Sequence, residues 1–337
     1  MLTACRNGDA AAVRRLAPSF ALNAFFDERL VLNHGCDMRG FEDTPLLTAS
    51  MHGHVNVVDA LLQCGAAVDF CSNGNRVPPI AVAAQLNHVA VARRLIEAKC
   101  DVNIVAAHVG YTALHRAAEE GLAEMCELLV AAGAALDVLY SGYAVTALGR
   151  AAQFSRRRPG CVEAIRVLLE AGASPNGSNA NAVGMCMPPL LCAAQAGCVP
   201  AMALLLKHGA LLDDASAFES PIGASAASGL LEPVLFLLEQ GCDPMLLGSN
   251  RTDPIEAAFR SHGEDKVAVL ETLLIVCTTT AQTIERLLWA NPMSADMLPA
   301  AKRLMVGSAA MRTPNSATRA CARSPQSCSL AAQATPR

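Results

Sequence analysis

Aromatic side chains make up only 4% of this 337-residue chain, with a single Trp, and charged residues only 17%. A core built on large rings is therefore excluded. The 53% of hydrophobic residues is carried by Ala, Leu and Val, which suits small helices packed closely. No apolar run is long enough to span a bilayer: the longest, residues 267–277, is interrupted by Glu271, whereas a spanning helix needs roughly 20 residues. Met1 to Asp9 lack the basic-then-apolar order of a secretory leader, which predicts a chain that stays inside the cell. No Cys-x-x-Cys pair occurs among the 14 cysteines, so in a reducing compartment they read as buried thiols and not as a disulfide framework. A strong charge of one sign is missing too. With 26 basic and 30 acidic residues the net charge is −4, which gives no global attraction to nucleic acid or anionic membrane.

What the chain has instead is self-similarity. A recurrent string opens on a polar residue followed by Pro or Ala and then Leu or Ile. It continues through Ala-Ala, a Gly and Leu-Leu, and closes on Gly-Ala. Whole or nearly whole copies start at Thr44-Pro45-Leu46, Pro78-Pro79-Ile80, Thr112-Ala113-Leu114, Thr146-Ala147-Leu148, Pro188-Pro189-Leu190 and Ser220-Pro221-Ile222, and a worn one at Asp253-Pro254-Ile255. The middle residue falls at 45, 79, 113, 147, 189, 221 and 254, a spacing close to 33 except for the 42 after residue 147. Thr44, Ser220 and Asp253 are good N-caps, and the Pro after each occupies the first helical position, where its missing N–H costs nothing. Each triplet therefore opens a helix. The paired alanines let that helix lie close to its neighbours, and Gly65, Gly133, Gly172, Gly209 and Gly241 close the second helix in a left-handed turn. Lys99 stands where the second copy would have that Gly; in the same conformation it costs around 1 kcal/mol that its neighbours must offset, the alternative being a different turn.

This pattern resembles the ankyrin repeat, a unit of about 33 residues with the signature T-P-L-H-x-A; Thr112-Ala113-Leu114-His115-Arg116-Ala117 is the nearest copy, and the resemblance covers about residues 42–275. It implies an all-α fold, an ankyrin-type α-solenoid of helix-turn-helix repeats with short β-turn fingers. It also implies that Gly53-His54 belongs to the turn between helices, against the metal site that His52-Gly53-His54 invites. His115 is expected to hydrogen-bond the neighbouring turn. Asp101-Val102-Asn103, following Leu95, is similar to segments modified by asparaginyl hydroxylases, with Asn103 as acceptor; the alternative is that Asn103 only bonds the turn.

Outside the repeats, Ala4, Gly8, Val13 and Leu16 match Ala49, Gly53, Val58 and Leu61 in spacing, which predicts a partial capping repeat with an insertion over residues 1–41. Val31-Leu32-Asn33-His34-Gly35 competes with Leu16 for the Leu-Leu register, and both placements fit. The array is expected over 42–277, capping helices with Trp289 over 278–306, and a disordered basic tail poor in large apolar groups over 307–337. From Lys302 onward the chain carries +6 and no acid, leaving −10 on the rest. Thr313-Pro314, Ser324-Pro325 and Thr335-Pro336 are candidate phosphorylation sites. The fourth copy is lengthened at Ser155-Arg156-Arg157-Arg158-Pro159-Gly160 and again over Ser174 to Val183, and insertions in such arrays map to exposed turns.

No phosphate loop, nucleophile elbow or carboxylate pair stands apart from the repeats, and Cys186, Cys192 and Cys198 lack zinc spacing. The expectation is a non-enzyme without metal or cofactor. In a stacked array the positions that the repeat leaves open carry recognition. They are Met51 and His52, Gln85 and Leu86, Glu119 and Glu120, Gln153 and Phe154, Gln195 and Ala196, Phe259 and Arg260. The positions before each triplet join them: Asp43, Val77, Tyr111, Val145, Met187 and Glu219. Met51, Leu86, Tyr111, Phe154 and Met187 are expected to be exposed apolar anchors, with Glu119 and Glu120 selecting a basic partner. The predicted function is protein binding by a monomeric scaffold, in the cytoplasm or nucleus, with neither membrane nor nucleic acid as target. Two alternatives remain open: a ubiquitin-ligase substrate adaptor recruiting through Ala281 to Val306, and a nucleic-acid regulator using Arg156 to Arg158 and the tail.

Overall fold

The computed structural model describes residues 1–19, 22, 44–71, 77–106, 110–139, 144–177, 186–213, 219–245, 247 and 253–276. The chain divides into two compact units, Met1–Cys277 and Thr278–Arg337; every described residue lies in the first. Trp289, the expected capping helices, the tail and most of residues 17–41 fall outside the described residues.

Among the described residues, seven helix pairs follow one another at the predicted register. The first helices are α3 Pro45–Met51, α5 Pro79–Gln85, α7 Ala113–Glu120, α9 Ala147–Phe154, α11 Pro189–Ala196, α13 Pro221–Ser228 and α15 Pro254–Arg260. Their partners are α4 Val55–Gln63, α6 Val89–Glu97, α8 Ala123–Ala131, α10 Gly160–Glu170, α12 Val199–Lys207, α14 Leu231–Glu239 and α16 Lys266–Val276. Ahead of them come α1 Leu2–Arg6, α2 Ala10–Leu16 and a short 3-10 turn, Ala17–Ser19. No strand occurs among the described residues.

The caps form as their chemistry requires. The side chains of Thr44, Thr146 and Ser220 accept from the N–H three residues on, at 3.1, 3.2 and 3.2 Å, and Asp253 accepts from Ile255 at 2.8 Å. Each satisfies one of the donors that a helix start leaves open. The alanine pairs 83–84, 117–118, 151–152 and 193–194 are wholly buried. Having almost no side chain, they let first helix pack on first helix: α3 on α5, α5 on α7, and so on to α13 on α15. Second helices pack likewise in their own row, more loosely than the first-helix row. Leu61, Leu95, Leu129, Leu168, Leu205 and Leu237 fill the space between rows and are all fully buried, each contributing roughly 1.5–3 kcal/mol of apolar transfer. Lys99 takes the left-handed conformation at φ 66°, as its glycine counterparts do.

At the start, α1 packs on α3 and α2 on α4. Val13 is buried like Val58, but Leu16 is 41% exposed where Leu61 is buried. The reason is local: α2 stops at Leu16 and the chain tightens into the 3-10 turn, which turns Ala17 inward instead.

Candidate functional site

The exposed positions of the first helices are held by three sets of bonds that tie each repeat to the next. The first set lies at the turns that lead into the second helices. His54 Nε2 bonds the Arg6 carbonyl at 2.7 Å, and His88 Nε2 bonds the Met51 carbonyl at 3.0 Å. Each ring satisfies a carbonyl at the end of the preceding first helix, a group a helix end leaves open. In the fourth copy Arg158 does this work, donating to the Glu119 carbonyl at 2.6 Å. His52 Nδ1 lies 2.9 Å from the Thr48 carbonyl oxygen, and its ring stacks on His54 at 6.1 Å between centroids. The two histidines are therefore turned toward carbonyls and each other. Among the described residues no group of His, Cys, Asp or Glu is gathered for a metal ion.

The second set lies in the fingers. Asn103 Oδ1 accepts from Ala135 N–H at 2.7 Å while its Nδ2 donates to the Gly133 carbonyl at 3.2 Å, and Asn176 does the same with Leu211 and Gly209. Asp69 accepts from Asp101 N–H and Asp137 from Ser174 N–H, both at 3.0 Å. Asn103 thus stitches its finger to the following one.

The third set is a charged cluster between α7 and α9. Glu119 Oε2 is met by Arg150 at 2.8 Å and by Arg116 at 3.3 Å, and Glu120 pairs with Arg158 at 3.0 Å. Arg150 also donates to Gln153 Oε1 at 2.8 Å. The Arg116 guanidinium lies 3.8 Å from the centre of the Tyr111 ring, and Arg150 and Arg158 lie 4.8 and 5.2 Å from that of Phe154, a geometry in which cation and ring face attract. Below the cluster, His115 Nδ1 accepts from Thr112 N–H at 3.3 Å and stands 2.9 Å from Thr112 Oγ1, closing a capping box. Burial lowers the His115 pKa to about 4, opposed by the nearby backbone of Val145 and Val138 and aided by Arg150 and Arg116. The ring is neutral at physiological pH.

These contacts correct the expected surface in two places. Tyr111 is buried, at 4% exposure, and so are Val77 and Val145 in the same position. This residue precedes the N-cap and packs back on the fourth helical residue, Arg116 beneath Tyr111, in the manner of a hydrophobic staple. Phe259 is also buried. Secondly, Glu119 and Glu120 are already neutralised by arginines of the chain itself, which removes the stated reason for them to select a basic partner. Sequence reasoning missed Arg116 and Arg150, although they stand 34 residues apart in the repeat register and Arg116–Glu119 has helical pair spacing. Met51, His52, Gln85, Leu86, Gln153, Phe154 and Met187 are half-buried, on or just after the first helices or, for Met187, just before one.

Burial pushes the Cys192 thiol up to about 12 and that of Cys161 to about 11, so both remain protonated and apolar in use.

A family model for ankyrin repeats, described as three copies, matches residues 1–106 and again 80–179, just over half of the chain. Helices α11 to α16 continue the same unit beyond that match. Among solved structures the chain is similar to an ankyrin repeat domain from Acinetobacter baumannii AYE, at 24% identity and a TM-score of 0.51, covering 62% of this chain and 97% of that one. It is also similar to the human ASB11 ankyrin repeat domain, at 24% identity and a TM-score of 0.55, covering 71% and 96%. At that identity the likeness is one of fold.

Proposed function

The chain belongs to the ankyrin repeat family, whose repeats are generally protein-interaction modules, and from that premise we propose that it holds a partner protein against the concave side of its array, as a monomer and with no reaction of its own. The observation that carries this reading is the half-exposed strip of Met51, His52, Gln85, Leu86, Gln153, Phe154 and Met187, on a row of helices that packs more tightly than the row behind it. A row packed more tightly becomes the inside of a curve. Apolar groups there give anchors, while Glu119 holds Arg150 and Glu120 holds Arg158 in place against Phe154. The free state of the described cysteines supports action in the cytoplasm or nucleus, where thiols stay reduced.

The test is affinity purification with the full chain as bait beside a Leu86→Glu/Met187→Glu variant, with each partner quantified by mass spectrometry. Both side chains are partly exposed, so the variant should fold. At least one partner retained by the wild type should fall by about tenfold or more, the scale of losing anchor contacts. Equal retention by both baits would sink the assignment of this strip.

A further inference from the structure

The turns between first and second helices are not of equal length, and their lengths carve a second surface. Between α9 and α10 the turn runs over residues 155–159 and between α15 and α16 over 261–265, whereas those of α11–α12 and α13–α14 are only 197–198 and 229–230. Two short turns flanked by two long ones leave a trough across four consecutive repeats. It has a volume of about 500 Å³, and its walls and floor include Pro159, Val199, Pro200, Leu230 and Pro233. The lining mixes these apolar groups with charged side chains, and the prolines among them carry no backbone donor.

The two walls carry opposite charge. On one side Arg158 is tied back onto α7, which leaves Arg156 and Arg157 exposed. Neither makes an ion pair among the described residues, and the Arg156 guanidinium reaches out over Gly197 into the trough. On the other side Glu264 and Asp265 line the opposite long turn, with Glu232 beside them on α14; all three are exposed, and Asp265 also accepts from Leu231 N–H. An exposed, unpaired arginine beside apolar groups is a receptor for a carboxylate, and the facing acids suit a lysine or arginine.

We propose that this trough is a second docking site, separate from the concave strip, for an extended peptide segment of a partner protein. The segment places an Asp or Glu at Arg156, apolar side chains along the floor and a Lys or Arg at Glu232 and Glu264. The facing acids argue against a nucleic-acid strand, whose phosphates they would repel. The charge order also fixes the direction in which the peptide lies, which is how polar pairs add specificity to an apolar contact.

A phage-displayed library of short random linear peptides, panned on the full-length protein, tests this. Enriched sequences should place an acid and a base on opposite sides of an apolar stretch. A synthetic peptide of the enriched sequence should bind Arg156→Glu about tenfold or more weakly, the range for losing a close charge pair. Its charge-reversed version should bind Arg156→Glu/Glu232→Lys in preference to the wild type. Leu86→Glu should leave the peptide's binding unchanged, so that failure of the trough and failure of the concave strip are separable. Four results would overturn the proposal: no enriched peptide, enrichment without that charge order, loss of binding on Leu86→Glu, or displacement of the peptide by a single-stranded oligonucleotide.

Discussion

His115 joins three levels of the structure at one ring. Its Nδ1 caps α7 through Thr112, its burial fills the space between repeats, and its pKa of about 4 lies well below the ordinary value of 6.5. Because the folded value is depressed, the unfolded chain binds the proton first as pH falls. The stability His115 supports is therefore fully present above pH 6.5 and is lost progressively toward pH 4, by about 3 kcal/mol when complete. Urea unfolding at pH 7.5 and pH 5 should show a steeper loss for the wild type than for His115→Gln, which keeps a capping partner but does not titrate; equal slopes would contradict the assignment. Sequence reasoning expected His115 to bond the neighbouring turn and did not foresee that it caps α7 through Thr112 of its own helix; Lys99 was legible as the residue standing in place of a glycine. The inward turn of Tyr111 was not. Its neighbour before the helix looks like an exposed tip in sequence, and only the position of Arg116 beneath it decides otherwise.

Among the elements, the turns between helices vary most and carry the most consequence. His54, His88 and Arg158 answer one need, a donor for the carbonyls that end the preceding first helix, with different side chains on turns of different length. Removing that donor leaves the Glu119 carbonyl only the weak Cys161 thiol at 3.6 Å and unpairs Glu120, so Arg158→Ala should destabilise the array by about 1–2 kcal/mol. Arg158→His should restore part of the loss, since histidine already serves in two earlier turns. Urea midpoints compare the three, and an Arg158→Ala protein within a few tenths of a kcal/mol of the wild type would show that the bond carries no stability. The helices themselves were readable because caps, alanine pairs and closing glycines recur in phase. The Glu119 cluster was not, because it joins residues more than 30 positions apart whose side chains meet only after the repeats stack.

On the scale of the whole array, no single residue defines a site. The first-helix row forms one surface, and the inter-helix turns form another with its own charge pattern. The repeat period established the fold and singled out the positions that the repeat leaves open as candidates for recognition. Which open positions face outward depended on tertiary contacts, as Tyr111, Val77, Val145 and Phe259 show. The measurement that tests the central claim most directly is hydrogen–deuterium exchange of the full chain alone and with a captured partner. Protection should gather at the C-terminal ends of α3, α5 and α9 and the residues just after them, together with the segment around Met187, while the outward side of α4, α6, α8 and α10 stays unchanged. Protection confined to those second helices would place the partner on the opposite face and contradict the account.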